Sequence, residues 1–257
     1  MATCLHGDCL ELMKTLPDKS VDLFLCDLPY GCLVGGAGKE KEKRDKGIHT
    51  EGCCLWDIKI DLGAFWIQVK RLCKNDKTPI LMFCNTKFGI DLINSNPDWF
   101  RYDLVWDKKL GTNFLLSNKQ PMKSHEMIYV FSKKGAFYKR IDVVVEGKEA
   151  YNPVGNYIDK NRIYAAGLFK TLVSKDDNTR CPLSVINFPL NKSKLHPTCK
   201  SVDLYKWLIE RYSNEGDMIL DPTAGSFNSG RACLELNRRY IGMEMDEKFY
   251  NGNKLDA

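Results

Sequence analysis

Val21-Asp22-Leu23-Phe24-Leu25-Cys26-Asp27-Leu28-Pro29-Tyr30-Gly31 is the stretch on which the reading of this chain turns. Its opening residues form a short run rich in branched and aromatic side chains, the pattern of a buried strand. An acid, a turn-stiffening proline and an aromatic ring follow at once. Runs of the same kind recur at 79–84, 127–131, 218–220 and 240–243, each bounded by Asp, Asn, Ser or Gly. Between them, 9–16 and 60–72 have helical periodicity. Tyr205, Leu208, Ile209 and Tyr212 repeat at helical spacing behind Ser201, an N-cap residue type. Strands alternating with helices predict an α/β fold, a mainly parallel sheet with helices on both faces. Such sheets bind ligands at the carboxyl ends of their strands, which is where Asp27 falls.

Length and composition set the outer limits. A chain of 257 residues can bury one substantial core, alone or with a smaller appended lobe. Its net charge of +5, pI near 8.5 and mean hydropathy of -0.35 are compatible with a polyanionic partner without demanding one. The eleven cysteines include no Cys-x-x-Cys pair, so no metal site is expected, and thiols such as Cys26 and Cys84 lie in apolar runs as small hydrophobes. The start, Met1-Ala2-Thr3-Cys4-Leu5-His6-Gly7-Asp8, lacks the basic and apolar regions of a signal peptide, and no run approaches a membrane span. A reducing, cytoplasmic setting is expected.

Two segments interrupt the alternation. Residues 31–55 are Gly-rich and then charged, with Lys39, Lys43 and Arg44 interleaved among acids. A mobile solvated loop accounts for them, as does a loop that closes on substrate, and Lys39, Lys43 and Arg44 are candidate DNA contacts. Residues 133–195 lack periodicity and carry many Lys, Arg, Asn and Tyr, as an inserted lobe would. Lys133, Lys134, Lys139 and Arg140 open it and are candidates for neutralising phosphates.

The chemistry is concentrated at two turns. Asp27-Leu28-Pro29-Tyr30 offers a carboxylate and a turn carbonyl to accept from a heterocyclic amine, and a ring to stack on that heterocycle. Stacking rather than the Tyr30 hydroxyl is the expected contribution, although the same tetrapeptide also fits a plain strand-ending turn. Asp221-Pro222-Thr223-Ala224-Gly225-Ser226 follows a second strand and opens a helix of small residues, so backbone N–H groups can approach a ligand. Glu244 ends the next strand, where an acid commonly binds ribose hydroxyls. No Gly-x-Gly-x-x-Gly or Gly-Lys-Ser/Thr run is present, which disfavours dinucleotide and P-loop readings.

In this order the motifs resemble those of the amino-group DNA methyltransferases, in the circularly permuted class whose catalytic motif precedes its cofactor motif. Asp27-Leu28-Pro29-Tyr30 resembles the family's Asp-Pro-Pro-Tyr. Asp221 to Phe227 is similar to Asp-Pro-Phe-x-Gly-Ser-Gly, and His196-Pro197-Thr198-Cys199-Lys200 to His-Pro-Thr-x-Lys. Gly7-Asp8-Cys9-Leu10 and Lys119 through Ile128 resemble two further shared blocks. The resemblance implies a Rossmann-like methyltransferase sheet divided into a catalytic half at 1–132, a target-recognition region at 133–195 and a cofactor half at 196–257. It implies S-adenosyl-L-methionine as cofactor, held by Asp8, Cys9, Asp27, His196, Thr198, Lys200, Asp221, Thr223, Ala224, Gly225, Ser226 and Glu244. Catalysis would fall to Asp27, Leu28, Pro29 and Tyr30. Double-stranded DNA is the implied partner, and a homodimer, a restriction partner and a phage or viral source are all compatible with it.

The resemblance further implies adenine-N6 methylation by base flipping and direct transfer, with no covalent intermediate. Cytosine-N4 methylation is the nearest alternative, and it more often goes with Ser at position 27. An RNA adenine methyltransferase and a catalytically inactive nucleic-acid-binding module are the others. Ring-carbon methylation needs a Pro-Cys nucleophile, and the chain has no Pro-Cys. Leu28 and Thr223 depart from the family pattern, and Phe227 replaces a glycine at a close-approach position in the cofactor turn.

Overall fold

The computed structural model describes residues 1–31, 59–144, 179–190 and 199–255. His196, Thr198, Lys39, Lys43, Arg44 and nearly all of the 31–55 segment lie outside the described residues. The chain divides into two compact units. One comprises Met1–Lys139 with Ser184–Ala257, and the other is Arg140–Leu183. The smaller unit contains an antiparallel ribbon of β6 (Val143–Val144) and β7 (Thr179–Arg180).

Among the described residues, the larger unit forms one eight-stranded sheet in the order β1-β10-β9-β2-β3-β5-β4-β8. The strands are β1 (Ala2–His6), β2 (Leu23–Cys26), β3 (Ile80–Cys84), β4 (Phe100–Thr112), β5 (Lys123–Phe131), β8 (Val185–Asn187), β9 (Met218–Asp221) and β10 (Arg239–Glu244). All adjacent pairs are parallel except those of β5, which runs against both β3 and β4. The five predicted strands are β2, β3, β5, β9 and β10. The first is shorter than its apolar run, because Val21 makes only an isolated bridge to Cys73.

The period of two along the central strands explains the two-sided core. Leu23, Leu25, Leu81 and Phe83 face one side with Leu204, Leu208 and Ile209 of α4 (Val202–Tyr212) and Ala232 and Cys233 of α5 (Asn228–Glu235). Phe24, Cys26, Ile80, Met82 and Cys84 face the other, with Met13 of α1 (Cys9–Lys14), Phe65 and Val69 of α2 (Leu62–Leu72), and Phe88 and Leu92 of α3 (Thr86–Ser95). A short α6 (Glu247–Asn253) closes the described chain. Side-chain caps set several starts: Asp61 accepts from Ala64 N–H, Asn85 from Phe88 N–H and Ser201 from Leu204 N–H, each contributing about 1 kcal/mol. No described helix is long and apolar enough to cross a membrane.

Candidate active site

The parallel strands deliver the acids read from the sequence to one edge of the sheet. Asp8 follows β1, Asp27 follows β2, Asp221 ends β9 and Glu244 ends β10. Hydrogen bonds tie three of these strand ends together. Gly7 N–H, in a positive-φ conformation of +142° suited to glycine, donates to the Glu244 carbonyl at 3.0 Å. Ala224 N–H donates to the Met243 carbonyl at 2.8 Å. The Glu244 carboxylate accepts from Gly225 N–H and from Asp246 N–H, both at 2.8 Å. Burial raises the Glu244 carboxyl above its usual range, against the pull of these N–H bonds.

Asp221 is buried beneath this turn. It accepts from the Ser229 hydroxyl at 2.5 Å and from Thr223 N–H at 3.1 Å, and Ser229 also meets the Tyr240 hydroxyl at 2.8 Å. Burial pushes its carboxyl up to about 7 in spite of those bonds. Asp8 caps α1, accepting from Leu10 N–H at 2.7 Å, with Cys9 buried next to it. Ala224 and Ser226 are buried in the turn, and the Thr223 hydroxyl is buried with no partner among the described residues.

That orphaned hydroxyl is the observation against which a cofactor can be tested. A buried polar atom without a partner is uncommon, and a ligand with polar groups over the turn satisfies it. Glycine at 225, with φ +50°, leaves the turn backbone open to approach. Glu244 keeps lone pairs beyond the two it commits, as a ribose-binding acid requires. These residues fit a nucleoside-type cofactor.

Phe227, which replaces a glycine of the family pattern, keeps a conformation suited to glycine: it is left-handed, φ 54°, at the N-cap of α5. Its side chain is fully buried, in edge contact with Tyr250 at a centroid distance of 6.3 Å. The backbone is therefore glycine-like while the ring fills core, and the ring does not occupy the turn.

The catalytic motif is more heavily braced than its sequence suggests. The Asp27 carboxylate accepts from the Tyr30 hydroxyl at 2.9 Å on one oxygen and from the Lys200 ammonium at 2.5 Å on the other. The Tyr30 ring stacks on Phe88, centroids 5.3 Å apart at 29°. Burial and then the Asp27 charge push the Tyr30 hydroxyl well above its ordinary range, so it remains a donor. The hydroxyl thus bonds the carboxylate, a contact that the expectation of stacking alone did not include. Leu28 is buried, and no described group donates to its carbonyl.

Lys200 is 5% exposed and also lies 3.7 Å from Glu126, which in turn accepts from Lys108 at 3.0 Å. Its ammonium sits over the Phe83 ring at 4.9 Å. Burial opposes its charge, but Asp27 and Glu126 outweigh that and raise its pKa. Burial opposes the Glu126 charge too, and Lys200 and Lys108 override it, holding that carboxyl below its usual range. Glu126, Lys108 and Phe88 were not singled out as functional from the sequence. The one usable signal was an acid at the mouth of the apolar run 127–131.

Two cysteines near this site favour the protonated thiol. Burial pushes the Cys84 thiol up to about 12 and the Cys26 thiol well above its ordinary value. Among the described residues no group of His, Cys, Asp and Glu is placed to hold a metal.

The basic residues expected to meet phosphates do not lie at the edge that carries the acids. Phe131 pairs with Ile80 at the start of β3, so Lys133 and Lys134 emerge at the amino edge of the parallel strands. The end of β5 at Phe131 is about 16 Å along the strand from Glu126, at ~3.3 Å per residue, and both lysines, just beyond it, pair with Asp76 at 3.0 Å. Lys139 is at that edge as well, bonded through its N–H to the Arg211 carbonyl. Arg140 belongs to the smaller unit and pairs with Asp142. At the carboxyl edge the β4–β5 hairpin projects with Lys119, Lys123 and Lys109, the last paired with Asp107 at 3.0 Å, and no acid lies between 108 and 125. Its tip, the turn Phe114–Leu116, leaves Phe114 and Leu115 exposed.

A Rossmann-like sheet with a glycine turn for a nucleoside and an anchored carboxylate one strand away defines a nucleoside-cofactor transferase. The family model described as DNA methylase, N6/N4 type, matches residues 21–254. The chain belongs to this family, enzymes that carry a methyl group from S-adenosylmethionine to an exocyclic amine in DNA. It is 27% identical over 268 residues to DNA adenine methyltransferase YhdJ of Escherichia coli (strain K12), covering 96% of this chain and 79% of that one. It is 26% identical over 279 residues to Type II methyltransferase M.HinfI of Haemophilus influenzae, covering 96% of this chain and 66% of that one. Among solved structures, the M1.HpyAVI-SAM complex aligns with a TM-score of 0.59 at 19% identity, over 98% of both chains. The cytosine-N4-specific PvuII DNA methyltransferase aligns at 0.63 and 15% identity, over 99% of this chain and 86% of that one. These two likenesses concern the fold.

Proposed function

We propose that this enzyme methylates the N6 amine of adenine in duplex DNA, with Asp27 and the Leu28 carbonyl as acceptors for that amine. The observation that carries the reading is the Asp27 carboxylate, fixed by Tyr30 and Lys200 at the carboxyl edge next to the strand that ends at Asp221. When bound, S-adenosylmethionine supplies an electrophilic sulfonium methyl. The residues assigned to hold it are Asp8, Cys9, Asp221, Thr223, Ala224, Gly225, Ser226 and Glu244, with His196 and Thr198 added on resemblance; Asp27 and Lys200, which the resemblance also put in this set, bond each other and are assigned to the amine instead.

The chain's own groups prepare the amine. Its lone pair is delocalised into the purine ring, which makes it a poor nucleophile. Accepting its two N–H bonds at Asp27 and at the Leu28 carbonyl draws the nitrogen toward tetrahedral geometry and localises the lone pair. Holding both acceptors rigid contributes through orientation. Pro29 stiffens the turn that presents them. Reaching this edge requires the base to leave the helical stack. The β4–β5 hairpin supports a duplex there, with Lys109, Lys119 and Lys123 for phosphates and exposed Phe114 and Leu115 for sugar or base faces. Residues 133–195 are assigned to reading the target sequence.

Asp at position 27, and the adenine named for the YhdJ relative, favour adenine over cytosine. The test is incubation with duplex DNA and labelled cofactor, followed by digestion to nucleosides. N6-methyladenine is expected, and Asp27→Ala should abolish it while cofactor binding persists in calorimetry. N4-methylcytosine in its place would overturn the base assignment, and full turnover by Asp27→Ala would overturn the mechanism.

A further inference from the structure

Four charged side chains meet beneath the catalytic turn, and the mechanism above uses only one of them. Lys200 arrives from the residue before Ser201, the cap of α4, while Lys108 and Glu126 come from the paired strands β4 and β5. Their net charge with Asp27 is zero. The two lysine side chains are 4–5% exposed, and the Glu126 and Asp27 side chains 19–20%. A purely structural purpose would be served as well by apolar side chains, because burying two ion pairs rarely improves on good packing. The placement points elsewhere. Lys200 is fixed from several directions: Asn228, itself 2% exposed, donates to its carbonyl at 2.8 Å, the Phe83 ring lies under its ammonium, and Glu126 flanks it. What it holds in turn is one oxygen of the carboxylate that must present the other oxygen to an amine.

We propose that Lys200 is a positioning residue for Asp27, anchored by Glu126 and Lys108, so that one carboxylate oxygen is held from beneath and the other, shared with Tyr30, accepts from the target amine. This rests on the amine-methylation reading above. A carboxylate has about four acceptor sites, so the clamp leaves room for that bond while removing rotation about the side chain. Other groups act on the same carboxylate and have to be held constant. Asp221 and Tyr205 approach from β9 and α4, and Cys26 and Cys84 from the ends of β2 and β3. Lys123 acts on Glu126 from the start of β5.

Lys200→Met alone leaves the part-buried Asp27 without its cation and can fail to fold, so the informative variant is the charge-balanced pair Lys200→Met with Glu126→Gln, next to Lys200→Arg. In the pair, kcat is expected to fall on the order of 100-fold, the scale of a catalytic group displaced by about 1 Å. KM for duplex DNA and the calorimetric Kd for S-adenosylmethionine should stay within about threefold. Lys200→Arg should recover part of the rate. A readout independent of turnover is carbon-13 NMR of Asp-labelled protein without ligands, with Asp27→Asn identifying the resonance. The chemical shift of that signal should move in the paired variant and return toward the wild-type position in Lys200→Arg. An unchanged resonance together with an unchanged kcat overturns the positioning role. A wild-type enzyme that methylates no amine while the resonance still moves overturns the function and leaves the Lys200–Asp27 clamp standing.

Discussion

Replacing Phe227 with glycine, the residue the cofactor turn would carry by resemblance, sets two structural terms against each other. The backbone gains, because Phe227 has φ 54° and a left-handed conformation costs a bulky residue about 1–2 kcal/mol. The core loses, because the ring is 0% exposed and packs edge-on against Tyr250. Truncating a buried phenylalanine costs about 3–5 kcal/mol, cavity included. The backbone bonds at this position, from Phe227 N–H to Ala224 and from Arg231 N–H to Phe227, are available to glycine as well. The net is a destabilisation of about 2–3 kcal/mol, or a Tm lower by roughly 4–12 °C at ~2–4 °C per kcal/mol for a domain of this size. Calorimetric unfolding measures the first quantity, and titration with S-adenosylmethionine measures cofactor affinity, which should hold because the ring points into the core. A Phe227→Gly protein that melts higher, or binds the cofactor tenfold more tightly, would refute the reasoning. It would mean that the ring obstructs the turn.

Two further predictions concern the carboxylates. Tyr30→Phe should lower kcat by roughly 10- to 100-fold, the equivalent of about 1.5–3 kcal/mol for a hydrogen bond to a charged group. Tyr30→Ala should cost more because the contact with Phe88 goes too, and steady-state kinetics showing a wild-type rate for Tyr30→Phe would contradict the Asp27 bond. The Asp221 carboxyl, near 7 in the fold against 3.8 for an unperturbed aspartate, titrates with the raised sign. Between about pH 4 and 7 the native state keeps a proton that the unfolded chain has lost, so this group's stabilisation is full at low pH and is lost as pH rises. Asp221→Asn should flatten that slope in denaturant melts taken across the window, and parallel slopes for the two proteins would count against it.

The parts legible in the sequence were those that depend on local pattern. β2, β3, β9 and β10 are buried on both faces, so their runs stand out without help from the rest of the chain. β4 did not stand out, since its charged and apolar residues give the mixed burial of a strand whose outer stretches are exposed. Nor does apolarity encode direction, and nothing in Met127-Ile128-Tyr129-Val130-Phe131 told that β5 alone runs backwards. That reversal puts Lys133 and Lys134 at the amino edge of the parallel strands. Asp27, Asp221 and Glu244 were found because strand ends are recognisable turns. The clamp on Asp27 was not, because Lys200 lies 173 positions away in the chain and only the folded sheet brings the two together.

The reversed strand also separates two design variables that a fully parallel sheet would couple. Because β5 descends from the carboxyl edge, the hairpin before it projects beyond that edge and is rooted in the two strands that carry Lys108 and Glu126. Residues added or removed at its crest, around Asn113 to Pro121, change how far it projects while the Lys108–Glu126 pair at its roots stays in register.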